Sequence, residues 1–366
     1  MKKLSEPVRK VNSQSVGLDV HKMVTVYSVL DASGATVREG RIASRRGELE
    51  AFLNEVLEAG PTHVAFEASR SSHWVYGLVS DLVGKERTHV ANAKEIRAIA
   101  NSKRKNDQND AWWLAYLTWE GRLPSSYVPE DEVLELRIAT RERCAAVRHR
   151  TKIINRLKGH LAQIGEIVPS SSVRTKKAQL FLLEIAVATK GARGRALRSC
   201  LDELDYQNAA IEEWDELIQA ISAELPAVQR IAEEIPGLGA VLASTVVAEA
   251  GDIQRFHSAK AFACATGLTP SDLSTSGKTI HGRISREGSP HLRWALTQAA
   301  MGCLRSRSGA GLAVGNWIRA KEKRMGIKAK ARAAGGRKLA EAIWRLFHHG
   351  ECFDPARPFG GKKKIA

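Results

Sequence analysis

The 366-residue sequence has no run of eighteen or more apolar residues, so no segment of it reads as a membrane-spanning helix. It also lacks any C-x-x-C pair. Its five cysteines, Cys144, Cys200, Cys264, Cys303 and Cys352, are scattered and odd in number, which argues against both a disulfide framework and a zinc site and fits a reducing cytoplasm. The opening MKKLSEPVRKVNSQS is basic but has no apolar stretch behind it, and so does not read as a secretory signal. Acidic residues are in deficit: 40 Asp and Glu stand against 56 Lys and Arg, a formal net charge of +16. The deficit is deepest at the end, where residues 301–366 hold sixteen Lys or Arg and four Asp or Glu. Such asymmetry marks a polyanion-binding surface, most often for nucleic acid. An anionic membrane fits less well, because this stretch has no amphipathic helix with an aromatic face. Hydrophobic residues make up 43% and charged residues 26% of the chain, the proportions of a soluble globular protein with room for two or three domains.

What is present begins with β-rich alternation. Val16–Val20 and Met23–Leu30 read as strands, followed by an Asp31-Ala-Ser-Gly34 turn and a third short strand at Arg41–Ala43. Leu49, Phe52, Leu53, Val56 and Leu57 recur at helical spacing and stop before Gly60-Pro61. A buried strand, His63–Glu67, precedes a helix over 72–82 and a strand over 87–90. Three strands, then helix, strand, helix, strand, helix is the order of a ribonuclease H-like mixed sheet.

In that layout Asp19 lies on the first strand, Glu67 ends the fourth, and Asp107 and Asp110 come from the helix after the sheet. Asp107 and Asp110 are three residues apart, on one helix face near its start, ahead of the apolar run Ala111–Leu117. Singly these acids fit a strand end or a capped helix start. Together they form a cluster at the strand ends, where open α/β sheets carry their sites. Four clustered carboxylates repel one another and resist burial unless a cation compensates them. Hard divalent cations such as Mg²⁺ take such oxygen ligands and serve phosphoryl transfer. The neighbouring Lys103, Arg104 and Lys105 are candidates for nucleic-acid contact.

After the Pro124–Pro129 break, residues 130–164 read as one long helix. Ile154, Leu157, Leu161 and Ile164 give it a coiled-coil seam, while Arg148, Arg150, Lys152 and Arg156 could line a phosphate-gripping face. Ile211, Trp214, Ile218, Ile221 and Leu225 repeat the seam pattern. Further on, Ile235-Pro-Gly-Leu-Gly239 opens a helix. Its Gly237 and Gly239 could present backbone N–H groups to a phosphate, as helix-hairpin-helix elements do. Residues 267–300 contain no Ser-His-Asp spacing. They do contain Ser274, Thr275 and Ser276 ahead of Gly277-Lys278, with Arg283, Arg286 and Arg293 downstream. A serine there could attack a phosphodiester if cations stabilise the developing charge.

GLDVHK (17–22), FEASRSSHWVYGLV (66–79) and KNDQNDAWWLAYL (105–117) resemble the N-terminal motifs of the DEDD transposases. These are the insertion-sequence one-ten family, with its Piv-type invertases and bridge-RNA-guided recombinases. IPGLG (235–239), Arg255-Phe256, GLTPS (267–271), the Ser-rich run before Gly277-Lys278 and RISREGSPHLRWAL (283–296) resemble its C-terminal domain, in the same order. The resemblance implies a RuvC-like, Mg²⁺-binding domain over 13–123 with Asp19, Glu67, Asp107 and Asp110 as its acids. It implies a dimerising helical region over 130–228 and a serine-bearing domain over 229–310, with a basic extension over 311–366. Counting from Pro270 aligns the family's nucleophilic serine with Ser274, and Ser276 is the alternate because it stands where the family commonly has glycine. Also implied are a covalent phosphoserine intermediate in a site composite with the carboxylates, donor and target DNA, a guide RNA, a homodimer or tetramer, and a place in the cytoplasm at the nucleoid. Three other readings remain. A RuvC-like nuclease or Holliday-junction resolvase would use activated water and need no serine. An actin-like sugar kinase should carry a second glycine-rich phosphate loop, and a structural nucleic-acid-binding protein would not need four acids.

Overall fold

β1 (Gln14–Val20), β2 (Val24–Leu30) and β3 (Thr36–Ala43) form an antiparallel meander, and β4 (Thr62–Glu67) and β5 (Thr88–Ala91) extend it in parallel from the other side of β1. The sheet order is β3-β2-β1-β4-β5. The computed structural model describes residues 13–69, 72–92, 95–96, 107–170, 172–275 and 278–359, with backbone alone at 272–275, 278–281 and 358. β1 is buried over most of its length because helices cover both faces. Val16, Leu18, Val64 and Phe66 pack on one face against Leu49, Phe52 and Leu53 of α1 (Arg46–Glu58) and Val75, Leu78 and Val79 of α2 (Ser72–Val83). The opposite face carries Gly17, Ala65 and Ala91 and receives α3 (Asp107–Trp119). β3 begins five residues earlier than its apolar pattern indicates. As an edge strand with exposed Thr36, Val37, Arg38 and Glu39, it shows no inward alternation to read.

Small residues let α3 lie directly on the sheet. A Cβ on Gly17 would stand 1.9 Å from the Ala111 carbonyl oxygen and 2.5 Å from the Ala115 nitrogen, so no larger residue fits without moving the helix. Two side chains lock the same docking: Gln108 Nε2 donates to the Tyr27 carbonyl at 3.1 Å and Trp119 Nε1 to that of Ala32 at 3.1 Å.

A second unit spans Pro129–Ala366. Its α4 (Asp131–Gln163) and α6 (Gly191–Ala223) run antiparallel, since Arg143 meets Asp215 at 2.5 Å, Arg150 meets Asn208 at 3.4 Å and Arg156 meets Glu203 at 2.5 Å. Leu157 and Leu161 of the long-helix seam are buried against Leu182 of α5 (Lys176–Ala188) and Leu197, Cys200 and Leu204 of α6. This stretch of the seam is therefore filled from within the chain. A larger core gathers α7 (Pro226–Glu234), α8 (Ala240–Ala250), α9 (Ala259–Ala265), α10 (Pro290–Arg305), α11 (Gly309–Met325), α12 (Lys328–His349) and α13 (Ala356–Phe359). Between α9 and α10 stands the hairpin of β6 (Pro270–Thr275) and β7 (Lys278–Ile284). Most basic residues among the described part of 301–359 are thus carried on packed helices, with Val314, Ile318, Leu339, Ala340, Ile343 and Leu346 buried. Among the described residues no helix is long and apolar enough to cross a membrane. All five cysteines are free, Cys144, Cys200 and Cys303 being buried.

An ion pair between the buried Glu249 carboxylate and the half-exposed Arg141 ties elements of this unit together. The Glu249 side chain, 2% exposed, accepts from Arg141 Nε at 2.7 Å and Nη2 at 2.9 Å, and from Ser289 Oγ at 2.7 Å. The same Ser289 hydroxyl caps α10 by accepting from the His291 and Leu292 amides. Burial pushes the Glu249 carboxyl up, but the hydrogen bonds from Arg141 and Ser289, with the charges of Arg141 and Arg137, hold it below the ordinary glutamate value. Its folded pKa is depressed, so its stabilisation is present above the unfolded pKa and lost as pH falls through the folded one. Glu249→Gln is expected to destabilise this unit by about 1–3 kcal/mol at neutral pH, or roughly 2–4 °C in Tm per kcal/mol. The gap from wild type should close as pH falls through the depressed folded pKa. Thermal melts at neutral pH and across an acid series check this, and a gap that stays constant throughout would refute the assignment.

Candidate functional site

Asp19 and Glu67 reach the same edge of the sheet through strand register. Leu18 of β1 pairs with Phe66 of β4, so the next residues, Asp19 and Glu67, stand side by side at the C-terminal ends of parallel strands. Leu18 and Phe66 point into the α1–α2 core, and alternation turns Asp19 and Glu67 to the face that α3 covers. The start of α3 then supplies Asp107 and Asp110 one turn apart. The close approach at Gly17 brings those acids down onto β1.

The tightest part of this arrangement is Asp19, His21 and Asp107. His21 Nε2 lies 3.0 Å from Asp19 Oδ2 and 3.5 Å from Asp107 Oδ2. One ligand atom from each of the three falls within 4.8 Å of the others. Asp19 is 8% exposed, and burial pushes its carboxyl above the ordinary value. His21 opposes that shift, and the charges of Asp107 and Asp110 add to it. A buried carboxylate facing two more carboxylates is short of positive charge, the condition a divalent cation relieves. The two carboxylates suit a hard divalent cation, while the imidazole is a softer donor that here stands at hydrogen-bond distance from Asp19. Among the described residues Glu67 and Asp110 stand outside the 4.8 Å group, Asp110 acting on Asp19 through its charge. A pocket of about 380 Å³ opens beside the group, lined by His21, Val26, Arg41, Ile42 and Asp107. His21 is the participant that sequence reasoning missed. The available signal was its position two residues after Asp19, in GLDVHK.

The proposed nucleic-acid contacts are spread more widely. Lys103, Arg104 and Lys105 lie outside the described residues, as does Ser276. Ser274 sits in β6 opposite Thr279, and Thr275 pairs with Lys278, which starts β7. Arg148 and Lys152 are exposed on α4. Arg150 is half-buried against Asn208, its guanidinium pKa lowered by burial and by Arg174 and Arg143. Arg156 is committed to Glu203 and to Cys200 Sγ at 3.2 Å. Gly237 has φ of 81°, and a Cβ there would stand 2.4 Å from the Ala299 carbonyl oxygen, so packing on α10 accounts for that glycine. Gly239 stands in the open at the N-cap of α8. Arg283 is exposed on β7, and Arg286 is exposed in the loop beyond with φ of 57°. Arg293 is half-buried, its Nη1 without a hydrogen-bond partner among the described residues.

Comparison with known proteins bears on what this arrangement serves. A family model described as Transposase, of the IS110 DEDD type, matches residues 16–166. A second, Transposase IS116/IS110/IS902 family, matches residues 229–313. The chain is 28% identical over 364 residues to a "Probable family 20 transposase" of Pseudomonas aeruginosa, covering 94% of this chain and 100% of that protein. It is 26% identical to the transposase for insertion sequence element IS1111A of Coxiella burnetii, over 92% of this chain and 90% of that one. It is likewise 26% identical to the transposase for insertion sequence element IS1328 of Yersinia enterocolitica, over 93% and 99%. The first family model covers the acids and runs on through α4, the second covers the β6–β7 hairpin and its flanking helices, and the chain belongs to the IS116/IS110/IS902 family of transposases.

Proposed function

We propose that this transposase cuts and rejoins DNA with Ser274 as nucleophile (Ser276 the alternate) and with Asp19, Glu67, Asp107 and Asp110 as the acids of a divalent-cation site, Mg²⁺ being the ion. The observation that carries the reading is the convergence of Asp19 and Asp107 at the sheet edge, with an under-compensated buried carboxylate at its centre. The order β3-β2-β1-β4-β5, with an acid on the central strand, supports a RuvC-like assignment for the first unit. A divalent cation there would neutralise charge on the phosphate oxygens.

The chain's own groups form and break the bonds. The Ser274 oxygen displaces one sugar oxygen from phosphorus, and the proton the serine gives up is balanced by the one the departing sugar oxygen takes up. That oxygen leaves as a hydroxyl, and the serine is joined to the DNA as a phosphodiester. A sugar hydroxyl of the second DNA strand then displaces the serine, rejoining the strand and restoring Ser274. Lys103, Arg104, Lys105, Arg148, Arg150, Lys152, Lys278, Arg283, Arg286 and Arg293 are proposed to hold donor and target DNA and a guide RNA. The α7–turn–α8 element would act as a helix-hairpin-helix-like phosphate contact through Gly237 and Gly239.

Leu180, Leu183 and Val187 make an exposed apolar stripe on α5, at 62%, 57% and 78% exposure, which supports coiled-coil association of copies as a dimer or tetramer. The reaction belongs to the cytoplasm, on nucleoid DNA.

The test is strand exchange between DNA carrying the ends of the element and its target, by protein purified with bound nucleic acid. Exchange should stop in excess chelator and return with Mg²⁺. Ribonuclease-treated protein should be inactive until its RNA is restored. Exchange in excess chelator would remove the metal site from the reading, and full activity after ribonuclease would remove the guide RNA.

A further inference from the structure

The second unit holds a cationic pocket of which the foregoing reading uses Arg283 alone. The foot of the β6–β7 hairpin, where Pro270 pairs with Ile284, faces the α11–α12 pair across a cavity of about 510 Å³. Arg283 of β7, Lys321 and Arg324 of α11, and Lys330 and Arg337 of α12 line it, and no carboxylate does among the described residues. Leu268 and Ala333 give it an apolar floor.

The nearby acids do not line it. Glu322 Oε1 stands at ion-pair distance, 3.5 Å, from Arg332 Nε without a hydrogen bond between them, and Glu341 accepts from Lys338 at 2.7 Å. Two further observations show cationic groups here without a matching acceptor. The Nε of Arg337 is buried without a hydrogen-bond partner among the described residues. The Lys321 ammonium is pushed below its ordinary pKa by burial and by the charges of Arg324, Arg337 and Lys338. Cations from three elements held this close repel one another, and buried donors left unmatched cost stability.

We propose that this pocket binds a phosphodiester group of the nucleic-acid strand on which the β6–β7 hairpin acts. Guanidinium forks pair with phosphate oxygens at two points, and an ammonium adds a point charge. The apolar floor suits the face of the adjoining sugar or base. Ser274 lies four residues along β6 from Pro270, about 13 Å up the strand. A backbone gripped at the foot of the hairpin is therefore aligned a few nucleotides from that serine. The inference rests on the transposase reading for the identity of the strand, and on the pocket alone for its phosphate chemistry.

Arg324 and Lys330 are exposed, so R324Q/K330Q removes two charges without opening the core. The control K323Q/K328Q removes two equally exposed charges of the same helices that do not line the pocket. Binding of a short oligothymidylate and a short oligouridylate to the full chain is titrated over a range of salt concentrations. R324Q/K330Q is expected to bind at least one probe roughly tenfold more weakly, with the log–log salt slope reduced by about 0.7 for each phosphate no longer neutralised. The control should weaken binding far less, and melting temperatures should be unchanged. Weakening on the DNA probe alone, the RNA probe alone, or both says which strand the pocket holds. Equal weakening in the two variants, or unaltered binding by R324Q/K330Q, overturns the proposal. Wild-type protein that binds the probes but exchanges no strands counts against the transposase chemistry and leaves the pocket result standing.

Discussion

Asp19→Ala is expected to lower DNA strand cleavage on the order of 10³-fold, while nucleic-acid affinity changes by less than about twofold. Asp19 is the most buried of the four acids and the one to which the other charges are referred. Removing it takes away an anchoring oxygen of the proposed cation site but none of the basic surface. The fold should tolerate the change. Burial and the Asp107 and Asp110 charges raise the Asp19 pKa in the folded chain, so the ionised carboxylate destabilises the fold above that pKa. Melting without added metal should therefore be unchanged or slightly higher in the variant, which separates lost chemistry from lost structure. Asp107→Ala should cost less, since its side chain is 44% exposed and it also begins a helix. A cleavage assay beside a binding assay decides the matter, and normal cleavage by Asp19→Ala would sink the metal-site reading.

The strands of the first unit were legible because alternation and turn residues are written locally. β1, β2, β4 and β5 fall within a residue or two of the pattern in the sequence, and β3 does not, because an exposed edge has no inward face to encode. The acids were legible as a set because strand ends and helix starts are predictable places. Which of them touch was not. That depends on Gly17 letting α3 descend onto β1, and on register putting Glu67 beside Asp19 while His21 reaches across to Asp107. The long-helix seam was legible as a seam, but a repeat of three and four does not name its partner, and here α5 and α6 occupy part of it. Likewise charge alone marked the last 66 residues as basic. Their apolar positions, spaced among the Lys and Arg of α11 and α12, fold them against α10 and create the cationic pocket as a by-product of packing.

Ser274→Ala is expected to abolish both DNA strand exchange and covalent capture of DNA, whereas Ser276→Ala should only slow exchange. The motive is the run Pro270-Ser-Asp-Leu-Ser274-Thr-Ser276-Gly-Lys278 on a hairpin whose register sets Ser274 opposite Thr279. A serine hydroxyl is a weak nucleophile at its free pKa, so its attack on a phosphodiester needs proton removal and nearby positive charge. Lys278 begins the partnering strand, and the cationic pocket lies at the hairpin's other end, so basic residues stand at both ends of the same element. Deleting the nucleophile itself leaves no second route through a covalent intermediate, and the residual rate should fall to background, a loss of at least roughly 10³-fold. Denaturing the reaction in mid-course and mapping the DNA-linked peptide identifies the attacking residue. An adduct on Ser276 would shift the nucleophile two residues along the sequence and keep the covalent mechanism. DNA cleavage by a protein lacking both serines, with no adduct at any time, would instead assign the chemistry to water activated at the acids, as in a RuvC-like nuclease or resolvase.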